Sequence, residues 1–110
     1  MSDLEHALEF LKENIDGIHK VKEWANAMGY SSSTYFSRSI RNRFGRRPVD
    51  FLNEYEYNRI IEVLRDNPDV IFFNIALECG YANDQAMYNF VKRYKGTSLK
   101  QLKQGLKTGS

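Results

Sequence analysis

The sequence has 110 residues, of which 42% are hydrophobic and 14% are aromatic, so a disordered chain is excluded and one folded domain is predicted. Its single cysteine, Cys79, excludes an internal disulfide. The chain has no signal peptide and no apolar run near the roughly 18 residues of a membrane span, which predicts a soluble, cytoplasmic protein without a membrane partner.

The net charge of +2 is distributed unevenly along the chain. Five carboxylates lie within residues 2–16, five arginines and no carboxylate lie within residues 31–47, and no acidic residue follows Asp84. Such basic segments often form only a solvent-exposed surface whose charge is balanced by acidic residues elsewhere in the chain. Otherwise they indicate an acidic partner such as nucleic acid.

The first predicted helix begins at a capping box, Ser2 with Glu5, and ends at Asp16 and Gly17. Its apolar residues recur at helical spacing, which predicts a core-facing stripe: Leu4, Ala7, Leu8, Leu11 and Ile15. The second helix has the same kind of stripe, Val21, Trp24, Ala25 and Met28, and ends at Gly29, which suits a left-handed C-cap.

A third helix is predicted from a cap at Ser31, Ser32 or Ser33 to Gly45. At 100° per residue, Phe36, Ile40 and Phe44 share its inner side. The outer side carries short polar and basic residues: Thr34, Ser37, Arg38 and Arg41. Two short helices with a glycine turn, the second with such a face, are typical of a helix-turn-helix whose second helix enters the DNA major groove.

Pro48 is a favourable first helical residue, and apolar residues recur from there at spacings of three and four until Asn67 and Pro68. The sequence therefore predicts one long central helix over residues 48–66.

The segments on either side of this helix repeat each other with an offset of 51 residues. Residues 21–30 match residues 72–81, and residues 36–45 match residues 87–96. The second copy therefore predicts another pair of helices, the latter capped by Asn83 or Asp84, with Gln85, Asn89 and Lys92 on its outer face and Tyr88 at the edge. A last short helix follows a cap at Ser98, and the tail from Lys107 is expected to fray.

Two stretches resemble the DNA-binding domain of AraC/XylS-family bacterial transcription regulators. They are GYSSSTYFSRSIRNRFGRRP at residues 29–48, and IALECGY at residues 75–81 together with KRYKGTS at residues 92–98. The resemblance covers nearly the whole chain and implies an all-α fold of seven helices. It implies one domain over residues 1–110, in which two helix-turn-helix units (1–47 and 67–106) are joined by the linker helix and followed by the tail 107–110.

The resemblance also implies that the two recognition helices enter successive major grooves and that their outer faces read the bases. The predicted base contacts are Thr34, Ser37, Arg38, Gln85, Tyr88 and Asn89. The predicted phosphate contacts are Arg41, Arg46, Arg47, Lys92 and Arg93. The chain departs from the family pattern at Lys20 and Ile71, where Ser or Thr usually caps the first helix of each unit, at Leu99, where Pro is usual, and at Asn89, where Arg is common. Asp84 would repel phosphate, so the second unit is expected to bind less tightly.

The sequence analysis therefore favours a sequence-specific DNA-binding transcription regulator, or the excised DNA-binding domain of one, whose partner is double-stranded DNA. RNA polymerase and a ligand-sensing domain, which this chain does not contain, are further partners that the resemblance suggests. The alternative is a protein-interaction module that keeps the fold with weak or no DNA binding, which exposure of Phe73 would favour. No nucleophile with a base, metal-ligand spacing or phosphate loop is present in the sequence, so no enzyme, metal or cofactor is predicted.

Overall fold

The computed structural model describes residues 4–108, and their side chains as far as residue 106. These residues form seven α-helices and two short 3₁₀ turns, with no strand among them. The helices are α1 (Ala7–Glu13), α2 (Val21–Ala27), α3 (Ser33–Phe44), α4 (Pro48–Asp66), α5 (Phe72–Glu78), α6 (Asp84–Lys95) and α7 (Leu99–Thr108). The predicted all-α, seven-helix class is confirmed.

The first helix differs from its prediction because it is interrupted at both ends. A 3₁₀ turn, Leu4–His6, precedes α1, and a second one, Ile15–Gly17, follows it. Asn14 is the C-cap of α1, and the Phe10 carbonyl oxygen accepts from both its side-chain Nδ2 at 2.8 Å and its backbone amide at 3.1 Å. Ser2, the predicted cap, lies outside the described residues.

The described residues divide into two compact units, which meet between Glu56 and Tyr57 inside α4. In the first unit the core surrounds the ring pair Trp24 and Phe36, whose centroids are 5.0 Å apart in an edge-to-face arrangement. The Trp24 indole N–H is buried there without an acceptor. The buried residues of this core are Ala7, Leu11, Ile15, Ile18, Trp24, Ala25, Met28, Phe36, Ile40, Phe51 and Leu52.

The second unit has a separate core with fewer buried aromatic rings. Its buried residues are Ile60, Val63, Leu64, Ile75, Ala76, Cys79, Met87, Phe90, Val91 and Leu99. Helix α4 therefore does more than connect the units, because Phe51 and Leu52 near its start and Val63 and Leu64 near its end belong to the two different cores. The prediction that Cys79 is a small buried hydrophobe is confirmed.

The last helix is longer than predicted, since α7 continues to Thr108 whereas fraying was expected from Lys107. Residues 109 and 110 of the predicted tail lie outside the described residues. No helix within residues 4–108 is long and apolar enough to cross a membrane.

Candidate nucleic-acid interface

Helix α2, the turn after it and α3 form the helix-turn-helix of the first unit. The turn is closed by the Tyr30 amide, which donates to the Ala25 carbonyl at 2.9 Å, and Gly29 has the predicted left-handed backbone with φ of 86°. Of the three candidate serines, Ser32 caps α3, because its Oγ accepts from the Tyr35 amide at 3.2 Å. Gly45 ends the helix with φ of 76°. The start and end of α3 therefore agree with the sequence prediction.

The start of α2 is stabilised differently from the family pattern. Lys20 offers no capping side chain, and instead the Glu23 carboxylate accepts from the backbone N–H groups of His19 at 2.8 Å and Lys20 at 3.1 Å. These bonds, above all the one from His19, hold the pKa of Glu23 below its ordinary value. Ile71, at the matching position before α5, has no capping hydrogen bond from its side chain either.

The residues predicted for the outer face of α3 lie together in the structure. Thr34, Ser37, Arg38 and Arg41 line one open depression of about 860 Å³. Thr34, Arg38 and Arg41 are exposed, and Ser37 is half-buried. Arg47 also lines the depression, and none of the described residues that line it is acidic. This surface therefore combines guanidinium groups with short hydroxyl side chains, which is what contact with phosphates and base edges requires.

The arginines of the first unit divide into two groups by their partners. Arg47 donates to both carboxylate oxygens of Asp50 at 3.0 and 3.2 Å, and this bond lowers the pKa of Asp50. Arg46 lies 3.4 Å from Glu54 and over the ring of Phe51 at 4.6 Å. By contrast, Arg38 and Arg41 form no ion pair with any described residue.

Arg43, on the same helix, belongs with the paired arginines. Its guanidinium holds both carboxylate oxygens of Glu5, with Nε 2.6 Å from Oε1, and lies 5.2 Å from the centre of the Phe44 ring. Within the described residues of α3, Arg38 and Arg41 are therefore the guanidinium groups available for an external anion.

The second unit repeats this arrangement with α5, a turn and α6. Asn83 caps α6, since its Oδ1 accepts from the Ala86 amide at 2.9 Å. Gln85 and Asn89 are exposed and bonded to each other, with Nε2 of Gln85 2.9 Å from Oδ1 of Asn89. Tyr88 is half-buried and its ring packs against the core of the second unit, so only part of this side chain is accessible.

The predicted phosphate contacts of α6 are also exposed. Lys92 lies one turn after Asn89, and the Arg93 guanidinium lies 6.0 Å from the centre of the Phe90 ring. Asp84 is exposed in the first turn, where the matching face of α3 has no carboxylate. The face of α6 is therefore less positive than the face of α3.

One accessible side chain of α3 was missed by the sequence analysis. Tyr35 is 59% exposed in the first turn, and its ring centroid lies 6.0 Å from that of Tyr30. Its spacing of three residues from Arg38 is the signal that could have found it, because side chains at that spacing are neighbours on a helix. The matching residue of α6 is Ala86.

No group of three or more metal-ligating side chains that could hold a metal ion is present among the described residues. No protein-family model matches the sequence, and no curated protein is significantly similar to it.

Solved structures share the fold of the chain. The DNA-binding domain of AdpA, a global transcriptional factor solved in complex with a target DNA, has a TM-score of 0.75 and 20% identity, over 99% of this chain and 96% of that chain. An AraC-type transcriptional regulator from Chromobacterium violaceum has a TM-score of 0.74 and 17% identity, over 97% and 94%. The C-terminal domain of AraT, a response regulator from Geobacillus stearothermophilus, has a TM-score of 0.74 and 19% identity, over 91% and 82%. The chain therefore has the fold of AraC-type DNA-binding domains, and the predicted resemblance is confirmed at the level of the fold.

Proposed function

We propose that this chain binds double-stranded DNA sequence-specifically as a transcription regulator, with α3 and α6 as recognition helices. The outer face of α3 carries the proposal, because two arginines without a described ion-pair partner lie there beside Thr34 and Ser37. The shared fold with a domain solved on its target DNA supports it.

In the first unit, Arg38 is the proposed base-reading residue and Arg41 the proposed phosphate contact. A guanidinium in the middle of a recognition helix can donate two N–H groups to guanine, one to O6 and one to N7. Arg41 lies three residues further on, near the end of the helix, where contact with the sugar-phosphate backbone is common. Arg47 also lines this depression but is already paired with Asp50. Contact of Arg47 with a phosphate therefore requires that the phosphate replace the Asp50 carboxylate.

In the second unit, Gln85 and Asn89 are the proposed base readers. Their mutual hydrogen bond holds two amides on one face, and an amide suits N6 and N7 of adenine. Lys92 and Arg93 are the proposed phosphate contacts, and Tyr88 contributes its accessible edge. Because Asp84 lies at the start of this helix, we expect α6 to add less affinity than α3.

The test is the salt dependence of binding to a mixed-sequence duplex of about 20 base pairs, measured by fluorescence anisotropy. Each phosphate neutralised contributes about −0.9 to the slope of log K against log salt concentration, so several contacts give a slope of about −4 or steeper. Arg41→Ala should reduce the slope by about one unit at every sequence. Arg38→Ala should also reduce the preference for one selected duplex over a scrambled one.

Arg43→Ala is the matched control, because it removes an arginine from the same helix that is already held by Glu5. It should leave the slope and the sequence preference close to those of the unsubstituted chain. A flat salt response in the unsubstituted chain refutes the proposal, and equal effects of Arg41→Ala and Arg43→Ala refute the assignment of α3.

The alternative function, a protein-interaction module with weak DNA binding, is favoured by one observation in the second unit. Phe73 and Leu77 are 43% and 49% exposed on α5, which is unusual for large apolar side chains. A flat salt response together with capture of a protein partner through α5 supports this alternative instead.

Further parts of the proposal rest on the resemblance to the family. If the two units contact successive major grooves, the chain should protect roughly two helical turns of DNA, about 20 base pairs, in a footprinting experiment. Contact with a single groove should protect about half of that length. RNA polymerase and a ligand-sensing domain are the proposed protein partners, and the cytoplasm is the proposed location.

A further inference from the structure

Large apolar side chains are exposed along α5 of the second unit. Ile71, immediately before the helix, is 64% exposed, and Phe73 and Leu77 are 43% and 49% exposed. Phe73 and Leu77 are four residues apart, so they lie on one side of the helix. We call Phe73 and Leu77 the α5 strip.

The first unit provides an internal comparison for the α5 strip. The residues 51 positions earlier are Lys22 and Asn26, both exposed and polar. The helix pair α2 and α3 therefore forms with polar side chains at these positions. The apolar side chains of the α5 strip are not required by the helix-turn-helix itself, and they are adjacent on one side of α5, as in a small contact surface.

The two edges of the α5 strip carry opposite charges. At 100° per residue, Asn74 and Glu78 lie on one side of Phe73. Glu78 is 3.8 Å from Arg59, which also contacts Glu62 at 2.5 Å, so this edge has two carboxylates and one guanidinium. It is the acidic edge.

On the other side of Phe73 lies Phe72, whose ring is covered by Lys103 of α7. The Lys103 Nζ is 5.6 Å from the centre of that ring. This is the basic edge of the α5 strip.

We propose that the α5 strip is a contact surface for a second copy of this chain, in which the two α5 helices pack parallel to each other about a two-fold axis. A two-fold axis parallel to the helix places the acidic edge of each copy opposite the basic edge of the other. A two-fold axis perpendicular to the helix places like edges together. The charge distribution therefore selects the parallel arrangement.

The size of the α5 strip determines how strong this contact is. Its exposed apolar surface amounts to roughly 200 Å² in each copy, so the contact buries on the order of 400 Å², well below the ~1,200 Å² of a stable interface. The association is therefore weak, with an expected Kd of about 0.1–1 mM in the absence of DNA. This inference does not depend on DNA binding.

The test is sedimentation equilibrium of the chain without DNA, combined with amide NMR spectra over the same concentrations. The average mass should rise with concentration, and the amide signals of Phe73 and Leu77 should shift in parallel with it. Phe73→Gln/Leu77→Asn should weaken association about tenfold or more without a change in net charge. The matched control is Lys22→Gln/Asn26→Gln, at the equivalent positions of the first unit, which should associate like the unsubstituted chain.

Charge reversals test the parallel arrangement separately. Glu78→Lys and Lys103→Glu should each weaken association, and the two together should restore it. A constant monomer mass up to about 1 mM overturns the proposal, as does undiminished association of a folded Phe73→Gln/Leu77→Asn variant. Failure of the double charge reversal to restore association overturns the parallel packing.

Discussion

The two glycines that end α3 and α6 provide a quantitative test of the fold. Gly45 and Gly96 have φ of 76° and 69°, in the left-handed region that an L side chain enters at a cost. We consider replacement of each by alanine, Gly45→Ala in the first unit and Gly96→Ala in the second. The same change at Gly105, within α7, is the control, because no positive φ occurs there.

The structure separates backbone strain from steric clash at these positions. A Cβ added at Gly45, Gly96 or Gly105 meets no atom within 4 Å, so no clash contributes. The left-handed backbone costs alanine about 1–2 kcal/mol, and restriction of the unfolded chain offsets about 0.4–1 kcal/mol of this. The net loss of unfolding free energy is therefore about 1 kcal/mol for Gly45→Ala and for Gly96→Ala. Gly105→Ala should instead gain about 0.5–1 kcal/mol, because glycine is unfavourable inside a helix.

The assay is urea unfolding followed by circular dichroism, with each variant compared with the unsubstituted chain. Gly45→Asn should lose less than Gly45→Ala, since asparagine tolerates the left-handed conformation better. The reasoning is refuted if Gly45→Ala is as stable as the unsubstituted chain, or if Gly105→Ala is destabilised by the same amount as Gly45→Ala.

Three further predictions concern charge, packing and pH. Asp50→Asn should make the salt slope of DNA binding steeper by up to about 0.9, because Arg47 is released for a phosphate; an unchanged slope would place Arg47 away from DNA. Trp24→Ala should cost about 3–5 kcal/mol in urea unfolding, and Trp24→Phe clearly less, since phenylalanine lacks the buried N–H that has no acceptor. The lowered pKa of Glu23 means that its stabilising contribution is present above its ordinary value of 4.5 and is lost as pH falls through the lower folded-state pKa. Glu23→Gln should therefore reduce the loss of stability on acidification, measured by thermal unfolding between about pH 6 and pH 3, whereas an acid profile identical to that of the unsubstituted chain would contradict this role.

Hydrophobic periodicity together with helix-capping and helix-breaking residues predicted most of the fold, because α3, α4 and α6 have such residues at both ends. Pro48 begins α4, and a serine or asparagine cap and a left-handed glycine mark the two ends of α3 and of α6. The first helix was predicted less well, since its apolar stripe continues through Ile15 while the α-helix ends two residues earlier, at Glu13. A stripe indicates which face is buried, and it does not indicate where an α-helix gives way to a 3₁₀ turn.

The outer faces of α3 and α6 could be predicted from helical geometry, but the partners of the arginines in and after α3 could not. Arg38 and Arg46 look equivalent in the sequence, as basic residues of one segment. In the fold, Arg46 lies against Glu54 and the Phe51 ring, because the chain turns at Gly45 and α4 starts beside it. Which arginine is already paired depends on contacts across that turn, and no periodicity within one helix contains this information.

The repeat itself separates the residues that build the unit from those that give each unit its surface. Ala25 and Ala76 are identical and buried in the two copies, and the left-handed glycines also coincide. The exposed positions have changed in chemical character, with arginine at position 38 where asparagine occurs at 89, and lysine at position 22 where phenylalanine occurs at 73. Since both copies fold with either set, these exposed residues are not dictated by the helix-turn-helix. The proposals therefore rest on these exposed residues, with anion binding proposed for α3 and contact with a second copy of the chain proposed for α5, and the experiments above substitute these positions for that reason.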